Sequence, residues 1–205
     1  GWIMVKSGLV PEKYFVGHVE LATHFVAALG LLVYTLWFAL RLLVPEQQSI
    51  HSPALKKFTV ALLLLLFVQL CYGGFMAGLR AATVAPTWPT INGEWFPASL
   101  FNERGPANLV NNPFMVHFIH RGLAYLIVIL IIGWFISIQK TALSPWLHKT
   151  KILPLVLVLA QVLLGICTVL YSASATALVW FGVLHQFTAM LLLVSLVWVL
   201  YLVRK

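Results

Sequence analysis

An all-α, polytopic membrane helix bundle is the fold class this sequence predicts, and three observations predict it. Of 205 residues, 61% are hydrophobic and 9% charged, against roughly 25% charged in a soluble globular domain. Five apolar runs, residues 19–44, 58–79, 114–138, 152–171 and 178–203, are each long enough to cross a bilayer as helices, which takes about 20 residues. The 13 Lys and Arg fall mainly between the runs and unevenly at their two ends, as in membrane loops. Soluble enzymes, disordered tails and secreted disulfide scaffolds are excluded as classes. The net charge of +8 forms no continuous patch for nucleic acid. Two cysteines, Cys71 and Cys167, make no disulfide framework and read as small buried apolar residues.

The elements follow in order. Residues 1–10 form an apolar stub ahead of the first span. The first span carries His24. The second follows Lys56 and Lys57 and holds Gln69-x-x-x-Gly73. A long loop, residues 80–113, contains Trp88, Trp95, Phe96 and five prolines. Its aromatic residues suit either headgroup anchoring or a cap over a site. The third span holds His117, His120 and Arg121. The fourth starts near Pro154, tolerable in a first turn, and holds Gln161-x-x-x-Gly165. The fifth holds His185 and Gln186.

Orientation follows from the cations. Arg41, Lys56, Lys57, Lys140, Lys149, Lys151, Arg204 and Lys205 lie at one end of the spans, and Lys6, Lys13, Arg80 and Arg104 at the other. Glu12, Glu94 and Glu103 also lie at the second end, with Glu20 at its edge. The richer end is expected to be cytoplasmic, or to face the mitochondrial matrix. The amino end and the 80–113 loop then lie outside.

The Gln-x-x-x-Gly pattern recurs at similar depth in two helices of the same direction. One turn separates the two residues, so helices can approach closely and an interhelical hydrogen bond can form. A second correspondence sets Gly1 and His24 against Gly165 and His185, with Ala28 matching Ala189. Together they read as two repeats, of which this chain holds the second and the end of the first. Residues 1–50 are expected to close the amino-terminal half, and residues 51–205 to form a four-helix half of their own.

Of seven histidines, His51 and His148 fall in loops of the cation-rich end and His18 at a span edge. His24, His120 and His185 each lie about six or seven residues into a span entered from outside, roughly 10 Å deep. Ionisable residues inside spans are costly and usually functional. Three imidazoles at one depth suggest ligands for a flat cofactor, and neutral imidazole is an ordinary axial ligand of haem iron. No Cys/His cluster favours zinc. His117 shares a face with His120 and is open to ligation, to donation toward a propionate, or to contact with the loop. Arg121 lies well inside a span, and an anionic haem propionate would suit its donor fork; snorkelling outward is the alternative. Gln186 is either a donor to the site or a packing residue.

These residues resemble a family. Phe118-Ile-His-Arg-Gly-Leu-Ala, Leu184-His-Gln-Phe-Thr-Ala, the opening Gly1-Trp-Ile-Met-Val-Lys-Ser-Gly-Leu, Gly78-Leu-Arg-Ala-Ala and Thr87-Trp-Pro-Thr-Ile-Asn-Gly-Glu-Trp look like haem A synthase, across essentially the whole chain. The resemblance implies eight membrane helices in two pseudo-symmetric four-helix halves, of which this chain would match the last five and the end of the third. It implies that His120 and His185 are the axial pair of a haem b. His24 would be a ligand of the substrate haem O, with its partner on a helix outside this chain. It implies oxidation of a haem O ring methyl to the formyl group of haem A, by successive hydroxylations and loss of water, during cytochrome oxidase assembly. The haem b would pass electrons. It implies a bacterial cytoplasmic or mitochondrial inner membrane, with a haem O synthase and an unidentified electron donor as partners. The oligomeric state stays open.

The chain departs from the family where the first half of a member carries a Glu three residues before its His-Arg histidine; the equivalent position here is His117. It also lacks the outer-loop cysteine pair of one branch. No catalytic residue is assigned, and the isolated chain is expected to be inactive. Three rivals remain. A bis-His cytochrome b electron carrier is one, and its di-haem form, moving electrons to or from quinone, needs two complete histidine pairs. A membrane assembly scaffold would use the histidines structurally. A transporter should show interrupted helices at mid-membrane.

Overall fold

The structure, a computed structural model, describes residues 1–8, 15–102 and 105–204. Glu12, Lys13, Glu103, Arg104 and Lys205, which entered the charge count, lie outside the described residues. Nine α-helices are described: α1 (Trp2–Gly8), α2 (His18–Leu43), α3 (Pro53–Gly78), α4 (Ala81–Val84), α5 (Asn108–Asn111), α6 (Pro113–Ile138), α7 (Pro145–Thr150), α8 (Leu153–Leu170) and α9 (Ala175–Leu202). Extended pairing among the described residues is limited to one bridge between Ile91 and Glu94. α2, α3, α6, α9 and the α7–α8 stretch are long and apolar enough to cross a membrane. The chain is an all-α, multi-pass membrane protein.

Proline and caps explain where these helices begin. Pro53, Pro113, Pro145 and Pro154 sit in first turns, where a missing N–H costs nothing and φ is already helical. Asn112, Ser144 and Ser174 accept from backbone N–H groups of α6, α7 and α9, satisfying donors that have no partner within the helix. Two starts come earlier than the apolar runs indicate. α3 takes in Lys56 and Lys57, because Lys56 Nζ reaches the Arg204 carbonyl at 2.8 Å. α9 begins at Ala175, where Ser174 caps it.

α2 packs on α3, α3 on α6, and α8 on α9, while contacts of α3 with α9 and α6 with α8 close a four-helix ring. Glycine permits the α2–α3 approach. A Cβ on Gly74 would stand 2.7 Å from Ala22 Cα, and one on Gly78 2.5 Å from His18 Cα, both closer than carbon atoms pack.

The bundle is packed tightly at its cation-rich end. Leu62, Ile131, Trp134, Leu196, Tyr201 and Leu202 are buried there. The Trp134 indole donates to Thr59 Oγ1 at 3.0 Å, so burial leaves no unpaired N–H. Arg204 closes this end, donating to Ser49 Oγ at 2.6 Å with its guanidinium over the Tyr201 ring. Toward the opposite end α3, α6, α8 and α9 part around a cavity, and the α3–α6 loop lies over it. Asn92 and Gly93 make the loop's tight turn with positive φ, the conformation Asn-Gly favours. Buried Asn112 ties the loop to α6 through the carbonyls of Ser99 and Leu100.

Candidate functional site

The repeated Gln-x-x-x-Gly pattern is a seat for a histidine on the neighbouring helix. His185 Nδ1, on α9, lies 3.0 Å from the backbone carbonyl of Gln161 on α8. A carbonyl only accepts, so Nδ1 carries the proton and Nε2 keeps its lone pair. The Gln161 side-chain amide nitrogen stands 3.1 Å from that Nε2. Gly165 makes room for the ring, since a Cβ there would lie 3.0 Å from His185 Cε1. The second copy, between α3 and α6, repeats the amide and glycine contacts, while His120 Nδ1 is buried with no hydrogen-bond partner among the described residues. Gln69 Nε2 is 3.3 Å from His120 Nε2, and a Cβ on Gly73 would lie 3.7 Å from His120 Cε1.

The two seats face each other. The His120 and His185 ring centroids are 6.3 Å apart, with planes inclined by 64°. They stand in a cavity of about 580 Å³, within the roughly 300–1,000 Å³ of small-molecule sites. Its walls are largely apolar, with Leu66, Leu70, Val158, Val162 and Leu192 among them. His185 is ten residues in from Ala175 and His120 seven from Pro113. Their meeting is set by helix offset rather than by equal counts from the helix ends.

The donor set fits a metal ion bound between two imidazoles. Two imidazole rings 6.3 Å apart across one cavity are donors of the kind haem iron takes. Gln69 Oε1 and Gln161 Oε1 are buried with no hydrogen-bond partner among the described residues, an uncommon condition for buried polar atoms and a mark of a site with work beyond packing. No three His, Cys, Asp or Glu come together as metal ligands among the described residues, so only a pair of protein ligands is offered. That suits a flat macrocycle supplying its own in-plane donors and not a protein-held tetrahedral ion.

His117 and Arg121 face the loop. Arg121 Nε donates to His117 Nε2 at 2.9 Å, so that lone pair is engaged by the residue that also holds the loop. The guanidinium also donates to the carbonyls of Thr87 at 2.6 Å, Thr90 at 3.0 Å and Pro89 at 3.2 Å. Arg121 therefore pins the loop over the cavity. The loop's aromatic residues divide between the two sequence readings. Trp88 lines the cavity and donates to Tyr125 Oη at 3.1 Å, while Trp95 and Phe96 are largely exposed.

His24 stands apart, exposed on α2 and outside the cavity lining. The structure thus brings together two of the three histidines singled out by depth. His18 pairs with Asn111 Oδ1 at 3.1 Å. Gln186 lines the cavity, and both cysteines are free thiols outside it.

Residues 1–197 match the family described as cytochrome oxidase assembly protein. The chain belongs to this family. Among curated relatives it is similar to a heme A synthase of Flavobacterium psychrophilum, 34% identical over 208 residues, covering 100% of this chain and 60% of the relative. It is similar to a heme A synthase of Rhizorhabdus wittichii, 36% identical over 97% of this chain and 55% of the relative. A heme A synthase of Rickettsia bellii is 31% identical over 100% of this chain and 60% of its own length. The chain spans about three fifths of the curated relatives it matches. No solved structure matches it.

With bacterial relatives and five spans, this member of the cytochrome oxidase assembly family is a multi-pass protein of the cytoplasmic membrane. Haem is the cofactor class the family implies. The sequence reading missed which atoms the two glutamines hold, and the recurrence of Gln one turn before Gly at equal depth was the available signal. It also missed Arg80 at the cavity rim, which resembled an ordinary loop cation.

Proposed function

We propose that this chain is the haem-holding part of a haem A synthase, the membrane oxidoreductase that converts a ring methyl of haem O to the formyl group of haem A. His120 and His185 would hold a haem b through their ring nitrogens. The observation that carries this reading is the meeting of two imidazoles at 6.3 Å across an apolar cavity. Bound there, haem supplies one-electron redox chemistry at a potential set by its ligands and surroundings.

The protein's own residues prepare that site. The Gln161 carbonyl fixes the His185 tautomer with the proton on Nδ1, which leaves Nε2 as the ligating atom. Apolar walls keep water away and lower the local dielectric. Arg121 holds the loop over the opening. His24 is proposed as a ligand of the substrate haem O, on a face of α2 turned away from the cavity. Residues 1–50 would then belong to the substrate half and 51–205 to the electron-transfer half, with a haem O synthase and an electron donor as partners.

A reduced-minus-oxidised spectrum of the purified protein tests the site, with wild type beside His120→Ala and His185→Ala. A low-spin b-type spectrum lost in both variants is expected. Folded wild-type protein without haem would overturn the assignment. The bis-His electron carrier remains as a second reading, because one closed histidine pair is enough for it. Haem A formation from haem O by the full-length protein separates the two.

A further inference from the structure

We propose that Arg80 is the residue through which the cavity recognises an anionic group on its ligand, a carboxylate such as a haem propionate, and that Arg121 is not. The inference rests on the haem reading above. The cavity walls carry two charged side chains among the described residues, Arg80 and Arg121. Arg121 has committed four of its five N–H donors, to His117 and the loop carbonyls. Drawing it toward a ligand would leave those carbonyls and the His117 nitrogen unpaired.

Arg80 is in the opposite condition. Its guanidinium has no hydrogen-bond partner among the described residues, and its carbon stands 4.5 Å from the centre of the Phe15 ring. Stacking on an aromatic face orients a guanidinium while leaving its in-plane N–H groups free. The result is a positioned donor fork at the rim of an apolar cavity, the arrangement that takes a carboxylate by two parallel hydrogen bonds.

The backbone supports the same assignment. Arg80 follows the end of α3 with φ 53 and ψ 35, and its N–H bonds the Ala77 carbonyl. This left-handed position just beyond a helix is one that glycine fills most easily. An arginine there carries backbone strain that a glycine would relieve, so its side chain is the reason to look for a role. Arg80 lines the cavity together with Thr83, whose hydroxyl donates to the Arg80 carbonyl at 2.8 Å, and with Trp88 of the loop.

The test uses the full chain, purified without haem, in lipid nanodiscs. Wild type and Arg80→Gly are titrated with protohaem and with its dimethyl ester, which keeps the iron and macrocycle but has no free carboxylates. Glycine suits the local φ, so the variant does not threaten the fold. Wild type is expected to bind protohaem about tenfold more tightly than the ester. Arg80→Gly is expected to bind the two about equally, at the affinity wild type shows for the ester. Unchanged discrimination in Arg80→Gly overturns the proposal while leaving the haem site standing. Absence of binding of either porphyrin by wild type overturns the haem reading, and this inference with it.

Discussion

Gln161 holds His185 by both ring nitrogens, its backbone carbonyl 3.0 Å from Nδ1 and its side-chain amide 3.1 Å from Nε2. The two contacts have opposite consequences. The carbonyl prepares the ring to act as a ligand, because it fixes the proton on Nδ1. The amide occupies the lone pair that a ligated ion would use. Gln161→Leu keeps the first contact and removes the second. One neutral hydrogen bond is worth about 1 kcal/mol net, so the variant should take up haem roughly fivefold more tightly. Haem titration of the purified protein checks this. Weaker binding would mean that the amide supports the bound state.

The glycines of the two seats are not equivalent. A Cβ on Gly165 would meet His185 Cε1 at 3.0 Å, whereas one on Gly73 would meet His120 Cε1 at 3.7 Å. The first contact forces the ring to move, and the second is ordinary van der Waals packing. Gly165→Ala should therefore disturb the low-spin b-type spectrum and cost about 1–3 kcal/mol of stability. Gly73→Ala should leave both nearly unchanged. Side-by-side spectra and thermal melts of the two variants would show the difference, and equal behaviour would contradict the seat geometry.

Much of this arrangement was legible in the sequence, and the part that was not has a physical reason. Hydropathy alone located the five spans, because a bilayer demands long apolar helices with few charges. The spacing of Gln69 and Gly73, repeated at Gln161 and Gly165, marked an interhelical contact. It did not say which side chain fills the contact, since a partner on another helix depends on helix rotation. Counting depth grouped His24 with His120 and His185. Depth carries no information on facing, and α2 turns His24 outward. Arg121 looked suited to a propionate by its place inside a span and its donor fork. Its loop partners were hidden because Thr87, Pro89 and Thr90 contribute backbone carbonyls, which leave no trace in residue type.

The α2–α3 interface makes a prediction independent of haem. A Cβ on Gly74 would stand 2.7 Å from both Ala22 Cα and Ala22 Cβ. Backbone atoms of a packed helix cannot swing aside as a side chain can. Gly74→Ala should push α2 from α3 and lower stability by about 1–3 kcal/mol. Gly122→Ala, with nothing near its added carbon, is the control and should match wild type in thermal unfolding in the same detergent. A melting point unchanged by Gly74→Ala would show that the helices are not so closely packed.

Arg121 yields the sharpest separation between a loop latch and a ligand contact. Its guanidinium bonds the carbonyls of Thr87, Pro89 and Thr90, and its Nε bonds His117. These bonds join α6 to a loop that also meets it through the Trp88–Tyr125 bond, the Phe96–Phe118 ring contact and the Asn112 ties. Arg121→Gln keeps a polar side chain but cannot span all three carbonyls. The amides of residues 87–94 should then exchange with solvent at least about tenfold faster, because losing roughly 1.4 kcal/mol of local opening energy already has that effect. The effect should be present in haem-free protein, since the bonds form without any ligand. Hydrogen exchange read by mass spectrometry, with amides of α9 as the internal reference, checks it. Exchange unchanged without haem but accelerated with it would assign Arg121 to the ligand instead, and would reverse the roles argued for Arg80 and Arg121.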